Sequence, residues 1–326
     1  MRMSGKMDCT AQVPRCMFVA IGMLLALGYA PITCAVFHLS HSSTDRTEEP
    51  ITPVPEPPAV DPLKAALGER LFGDVRLSGD NTRKCSSCHD LATNGASKNV
   101  QDTTPDGSRL PLNTPTIFNA ALSFRLGWKG EFRTLEAQVA AILQNPRIMG
   151  TRIDAVVGKL RRDSVLVRQF KAAYGRGPDE QSVLDALATF ERSLITPDSR
   201  FDRWLRGDTA ALSAQEMEGY RLFKSLGCSS CHQGVNVGGN LFERHGIFHR
   251  LTATEPTIVR VPSLRNIATT APYFHDGSVL TLEQAVRKMA ETQLNSKLND
   301  QQVADITAYL RTLTGIYRGQ PLVEPR

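Results

Sequence analysis

The string Cys-Ser-Ser-Cys-His occurs twice in this 326-residue chain, at 85–89 and at 228–232. Two cysteines with this spacing, followed at once by a histidine, suit the attachment of a porphyrin through two thioether bonds and ligation of its iron by the histidine. A zinc site needs four ligands close in sequence, and a redox dithiol needs a βαβ setting; neither context is present. We therefore predict two covalent c-type haems, held by Cys85, Cys88 and His89 and by Cys228, Cys231 and His232.

The N-terminus has the pattern of an export signal. Basic residues precede an apolar stretch from Met17 to Tyr29, and small residues follow at 33–35. We predict a signal peptide over 1–35. Two alternatives stay open: an uncleaved N-terminal anchor over 17–37, which is long enough to span a bilayer, and lipidation of Cys34. All three place the body outside the cytoplasm, and we expect it in the periplasm.

Residues 36–61 are polar and rich in proline, which predicts an extended tether without a core of its own. The rest of the chain carries helix signals. Asp61, Thr134, Ser213 and Thr281 are placed as N-caps ahead of apolar residues at helical spacing. The fold class predicted is all-α, with two tandem cytochrome-c-like domains, each with one covalent haem. We expect the N-terminal domain over 62–197 and the C-terminal domain over 198–326.

The second axial ligand of each iron decides what each haem can do. Met289 lies 57 residues after His232 (289 − 232), on a predicted helix, and is the expected sixth ligand of the second haem. A thioether ligand raises the reduction potential, so this haem would be the high-potential one; the alternative is that Met289 is a core residue. No histidine lies between His89 and His232. For the first haem, either Met149 ligates the iron or the site is open.

Several strings resemble those of the bacterial di-haem cytochrome c peroxidases, including MauG, from about Leu67 to Gly315. They are Leu-Phe-Gly-Asp-Val-Arg-Leu-Ser at 71–78, Asn-Thr-Pro-Thr at 113–116, Leu-Ile-Thr-Pro-Asp-Ser at 194–199, Leu-Arg-Asn-Ile-Ala at 264–268, and Thr-Ala-Pro-Tyr-Phe-His-Asp-Gly at 270–277. The resemblance implies peroxide cleavage at a low-potential N-terminal haem and electron delivery through the C-terminal haem. It also implies electron transfer aided by Trp128, and a calcium ion at Asn113, Thr270 and Pro272.

The sequence departs from that family where proton transfer takes place. The loop over 90–112 lacks the histidine that family peroxidases carry there. Gln138 matches a distal glutamine, but Ile148 stands where the family has a glutamate, and isoleucine cannot move a proton. If the alignment is gapped, Glu131 or Glu136 could substitute.

Three functions follow from the sequence. The first is a peroxidase that uses hydrogen peroxide and a small electron-donor protein, a cytochrome c or a cupredoxin. The second is a MauG-type enzyme that oxidises residues of a partner protein. The third is a non-catalytic electron carrier with Met149 as a ligand.

Family resemblance also suggests a homodimer. A net charge of +5 without a dense basic run predicts no nucleic-acid partner.

Overall fold

The computed structural model describes residues 49–252 and 255–325, so the predicted leader or anchor lies outside the described residues. Within these ranges no helix combines the length and apolar character needed to cross a bilayer. The described residues form helices α1 Pro62–Phe72, α2 Leu135–Gln144, α3 Ile153–Leu160, α4 Ser164–Tyr174, α5 Glu180–Ser193, α6 Arg200–Leu205, α7 Ala214–Ser225, α8 Leu282–Leu294 and α9 Asp300–Arg311.

The helix starts predicted from capping residues are confirmed. Asp61 accepts from the backbone N–H groups of the first turn of α1, with Pro62 at its first position. Thr134 caps α2, Ser213 opens α7 with a reciprocal capping box, and Thr281 caps α8. These side chains satisfy N–H groups that a helix leaves without an internal partner.

Two short antiparallel strand pairs accompany the helices. Strands β1 Phe242–Arg244 and β2 Ile258–Arg260 form one pair, and β3 Ile316–Tyr317 and β4 Gln320–Pro321 form the other. Neither pair builds a core, so the predicted all-α class is confirmed.

The same helix crossing organises both halves. A Cβ atom at Gly68 in α1 would overlap the carbonyl oxygen of Ala186 in α5, and one at Gly219 in α7 would overlap that of Asp305 in α9. Each glycine therefore lets two helix backbones approach closely. Gly68 and Gly219 therefore occupy equivalent positions in the two halves, and so do Ala186 and Asp305.

Each crossing is the centre of a separate hydrophobic core. The first core includes Leu67, Leu71, Leu160, Leu166, Phe170, Val183 and Leu187. The second includes Phe201, Tyr220, Phe223, Ile306, Tyr309 and Leu313. The expected boundary near 196–198 falls in the segment between α5 and α6.

The start of the described chain does not match the predicted tether. Ile51 and Val54 are 1% and 2% exposed, and Ile51 belongs to the second core. The Val54 N–H donates to Asp202, and the Thr52 carbonyl accepts from Arg265. The tether prediction is therefore wrong for residues 49–54: two apolar side chains and paired backbone groups suffice to fix this segment on a domain that begins far along the chain.

The end of the chain returns to the first domain. Leu322 is buried in the first core, and the ring of Tyr317 packs on Phe118 with centroids 4.8 Å apart. Arg318 forms an ion pair with Glu69 in α1. The last strand pair of the predicted C-terminal domain over 198–326 therefore packs against the N-terminal half.

Candidate functional site

One cavity of about 1120 Å³ is lined by residues of both cysteine strings. Ligand pockets usually measure roughly 300–1,000 Å³, so this space exceeds that of a single ordinary ligand. Apart from Cys231, every site residue predicted from the sequence lines it, namely Cys85, Cys88, His89, Asn113, Trp128, Gln138, Cys228, His232, Thr270, Pro272 and Met289.

The two strings fold alike. Cys85–Ser87 and Cys228–Ser230 each form one turn of 3₁₀ helix. The N–H of His89 donates to the Cys85 carbonyl over 3.0 Å, and that of His232 donates to the Cys228 carbonyl over the same distance. This turn brings the two cysteines and the histidine of each string together, and all of them except Cys231 line the cavity.

In each histidine ring, Nδ1 lies within hydrogen-bond distance of a backbone carbonyl oxygen, and Nε2 is the nitrogen left for a metal. His89 Nδ1 lies 2.9 Å from the Gly95 carbonyl oxygen, and His232 Nδ1 lies 3.2 Å from that of Val237. A backbone acceptor at Nδ1 fixes the tautomer that leaves the Nε2 lone pair for a metal. Burial lowers the pKa of both histidines, that of His232 to about 4, which keeps the rings neutral. The residues fit haem attachment.

The four cysteines do not have the properties of a redox dithiol. Burial raises the pKa of the Cys85 and Cys88 thiols to about 12 and that of the Cys228 thiol to about 11. Reactive dithiols depend on a lowered thiol pKa. Among residues 49–252 and 255–325 no three His, Cys, Asp or Glu side chains cluster as a metal site.

Helix α2 and the loop after it line the first half of the cavity. Gln138, Ile148 and Met149 all face the cavity, and Met149 also belongs to the first core. Of the two suggested substitutes, Glu131 lines the cavity but is exposed, and Glu136 pairs with Arg192 outside the lining. In the second half, α8 contributes Met289.

Trp128 joins the two halves. Its indole Nε1 donates to the Asn113 carbonyl over 3.0 Å, and its ring meets the His275 ring edge to face with centroids 6.1 Å apart. The Asn113 N–H in turn donates to the His275 carbonyl over 2.8 Å. The network therefore links the loop after the first string to the 270–277 segment of the second half.

Oxygen atoms suited to a hard cation lie beside this network. The Asn113 amide nitrogen donates to the carbonyls of Asn99 and Val100, which leaves Oδ1 as its available atom. Within the described residues, the carbonyls of Thr270 and Pro272 accept no backbone hydrogen bond. Amide and carbonyl oxygens are ligands that calcium takes.

Comparisons with known proteins agree with this arrangement. The family profile described as di-haem cytochrome c peroxidase matches residues 62–210, and the cytochrome c profile matches 216–314. A cytochrome c551 peroxidase of Nitrosomonas europaea is 36% identical over 284 residues, covering 82% of this chain and 84% of its own length. The chain belongs to the di-haem cytochrome c peroxidase family.

Members of this family with different names are similar to the chain. The cytochrome c peroxidase of Escherichia coli is 38% identical over 294 residues, covering 85% of this chain; the match spans only 63% of that longer relative. A MauG protein of Methylorubrum extorquens is 31% identical over 288 residues, 80% of this chain and 81% of its own. The crystal structure of a MauG-like protein associated with microbial copper homeostasis superposes with a TM-score of 0.70 at 29% identity, covering 80% and 93% of the two chains.

One residue of this family member was missed by the sequence reasoning. Glu191 in α5 is 8% exposed and lines the cavity. It follows Leu187 by four positions, and Leu187 also lines the cavity, so both lie on one helix face. The available signal was a charged residue within the apolar period of that helix.

Proposed function

We propose that this protein is an exported di-haem peroxidase, which reduces hydrogen peroxide at the first haem with electrons that enter through the second. The continuous cavity that reaches both cysteine strings carries this proposal, because it gives two haems adjoining sites. Bound haem iron would supply the redox chemistry. Cys85, Cys88, Cys228 and Cys231 would form the thioethers, and periplasmic haem attachment agrees with the predicted leader.

The side chains around each histidine support different roles for the two haems. His89 and His232 would coordinate iron through Nε2, given the hydrogen bond at each Nδ1. Met289 would fill the sixth position of the second haem and favour electron transfer. The first haem would stay open toward Gln138, which can orient peroxide by hydrogen bonding.

Trp128 would lie on the electron route between the haems, because it bonds one half and packs on the other. A calcium ion at Asn113, Thr270 and Pro272 would fix the same contact between the halves. The electron donor would be a small cytochrome c or cupredoxin.

The oxidised protein is expected to contain one high-spin and one low-spin haem before any reduction, because no histidine in 90–231 can ligate the first iron. Electron paramagnetic resonance measures both signals. Hydrogen peroxide added with a reduced small cytochrome c should then be consumed with oxidation of two cytochromes per peroxide. An intact mass that includes two haems is the loading control.

Two other results would redirect the proposal. Two low-spin haems and no peroxide consumption would favour the electron carrier, with Met149 as the ligand. A protein that stays oxidised after hydrogen peroxide is added, and that the donor protein does not reduce, would favour the MauG-type function. The 31% identity to a MauG protein supports that alternative. The resemblance places a tyrosine in MauG where Met289 stands, so the peroxidase remains our proposal.

Replacing Met289 with leucine is expected to remove the methionine-to-iron charge-transfer band of the second haem. Since axial ligands set haem potentials over roughly 0.8 V, the potential should fall on the order of 0.1 V. The first haem should keep its spectrum. Met217→Leu is the matched control, because Met217 is a methionine of the second half that packs against the second core without lining the cavity. An unchanged potential in Met289→Leu would make Met289 a core residue only.

A further inference from the structure

Glu191 is a buried carboxyl group that opens onto the cavity. It is 8% exposed and lines the space beside the first cysteine string. Within the described part of the chain, its carboxyl group has no hydrogen bond and no ion pair. A buried carboxyl group without a partner is costly for stability, so the position requires an explanation other than packing.

The second half of the molecule shows what packing alone would place there. In the first half, Gly68 lies against Ala186 and Phe190. In the second half, Gly219 lies against Asp305 and Tyr309 in the same way. Counting one position on from Phe190 and from Tyr309 pairs Glu191 with Leu310, which also lines the cavity. The equivalent helix position is therefore apolar in the half that carries the proposed electron-transfer haem, and acidic in the half with the proposed peroxide site.

The charged neighbours of Glu191 lie on α5 and α2. Glu136, on the helix that also carries Gln138, repels its negative charge, and Arg192 attracts it. Glu191 in turn contributes to raising the pKa of the Cys85 thiol, and both residues line the cavity. Ile148, which stands where the family resemblance leads one to expect a glutamate, lines the same cavity.

We propose that Glu191 moves the proton during peroxide cleavage at the first haem, directly or through one water molecule, a function that Ile148 cannot perform. The inference rests on the proposed peroxidase function. Burial raises the pKa of Glu191 to about 8, with a further contribution from Glu136, so at neutral pH the group holds a proton that it can donate.

Glu191 donates one proton and takes one proton back during the reaction, so its protonation state is the same before and after. The Glu191 carboxyl group donates its proton to the departing oxygen of hydrogen peroxide, the O–O bond breaks heterolytically, and that oxygen leaves as water. The carboxylate then takes the proton of the remaining oxygen and returns to its starting state. The reduced donor protein supplies two electrons, and two protons from solvent complete the second water.

Glu191→Gln in the two-haem protein keeps the shape of the side chain and removes its exchangeable acid. Peroxide turnover should fall about 10²–10⁴-fold, the usual contribution of general acid–base catalysis. Glu180→Gln is the matched control, an exposed carboxyl group on the same helix, and should leave turnover unchanged. Adding Ile148→Glu to Glu191→Gln should restore turnover.

Cyanide binding gives a readout that does not depend on turnover, because hydrogen cyanide must lose a proton as it binds. The binding rate at the first haem should follow a group with a pKa near 8 in the wild type, and should lose this dependence in Glu191→Gln. Glu136→Gln removes a negative charge that raises the Glu191 pKa, so the midpoint should move to lower pH.

Wild-type turnover in Glu191→Gln, together with an unchanged cyanide profile, would overturn the inference and leave the peroxidase proposal intact. A wild-type protein without peroxide turnover would defeat the proposed function. The cyanide profiles would still decide, in that case, whether Glu191 exchanges protons with a ligand of the first haem.

Discussion

Asp202→Ala is expected to lower the free energy of unfolding by about 3–5 kcal/mol, because it leaves the Arg265 guanidinium buried without its counter-charge. Arg265 and Asp202 are 1% and 0% exposed, with Nη1 and Oδ1 2.9 Å apart. The same aspartate accepts from the Val54 N–H over 3.1 Å. The substitution therefore removes an ion pair and also releases the N-terminal segment from the second core.

Urea unfolding followed by circular dichroism measures this loss. Asp208→Ala is the matched control, since the Arg203–Asp208 pair is largely exposed and should have a much smaller effect. Limited proteolysis should cleave Asp202→Ala near residues 49–61 faster than the control. Equal stability of the two variants would mean that the attraction between Arg265 and Asp202 only offsets the free energy lost when the two charges leave water.

The buried pair is connected to the second histidine. Arg265 Nε donates to the Val235 carbonyl over 2.7 Å, and the Val237 carbonyl, two residues on, lies against His232 Nδ1. Arg265 also donates to the Thr52 carbonyl. One buried guanidinium thus ties the N-terminal segment to the loop that orients the His232 ring, which explains why residues far from the cavity bear on it.

Local sequence signals were enough for the helices that open at Asp61, Thr134, Ser213 and Thr281 and for the cysteine strings, whereas α3, α4 and α6 were not predicted. A cap such as Asp61 or Ser213 acts within its own first turn, so its effect can be recognised without knowledge of the fold. The all-α class followed from the same spacing. The turn of each Cys-Ser-Ser-Cys-His string is equally local, because its hydrogen bond joins residues four positions apart.

Contacts between distant parts of the chain were not predictable. Ile51 and Val54 are two apolar residues in a proline-rich stretch, and their partners lie about 150 or more positions away. The tail with Leu322 returns to the first core for similar reasons. Glu191 stands in the sequence as a charged residue within the apolar period of α5, but its equivalence to Leu310 followed only from the contacts of Gly68 and Gly219.

Glu191→Leu is expected to make the protein more stable, by an amount that grows as pH rises. The unfolded chain loses the Glu191 proton near pH 4.5, whereas burial holds it in the folded protein up to a pKa of about 8. Between these values the folded state binds the extra proton, so wild-type stability falls with rising pH. Over pH 5 to 8 this group alone accounts for roughly 3–4 kcal/mol, at 1.36 kcal/mol per pKa unit with partial titration at both ends of the range.

The measurement is the difference in unfolding free energy between Glu191→Leu and wild type at pH 5, 6, 7 and 8. Other titrating groups are common to both proteins, so they cancel in the difference. Leucine is the matched choice because Leu310 fills the equivalent position on the second core. Glu180→Leu, at an exposed site on the same helix, is the control for placing a leucine on α5. If the Glu191→Leu difference is flat with pH, Glu191 ionises normally in the folded protein. It would then hold no proton to donate at neutral pH.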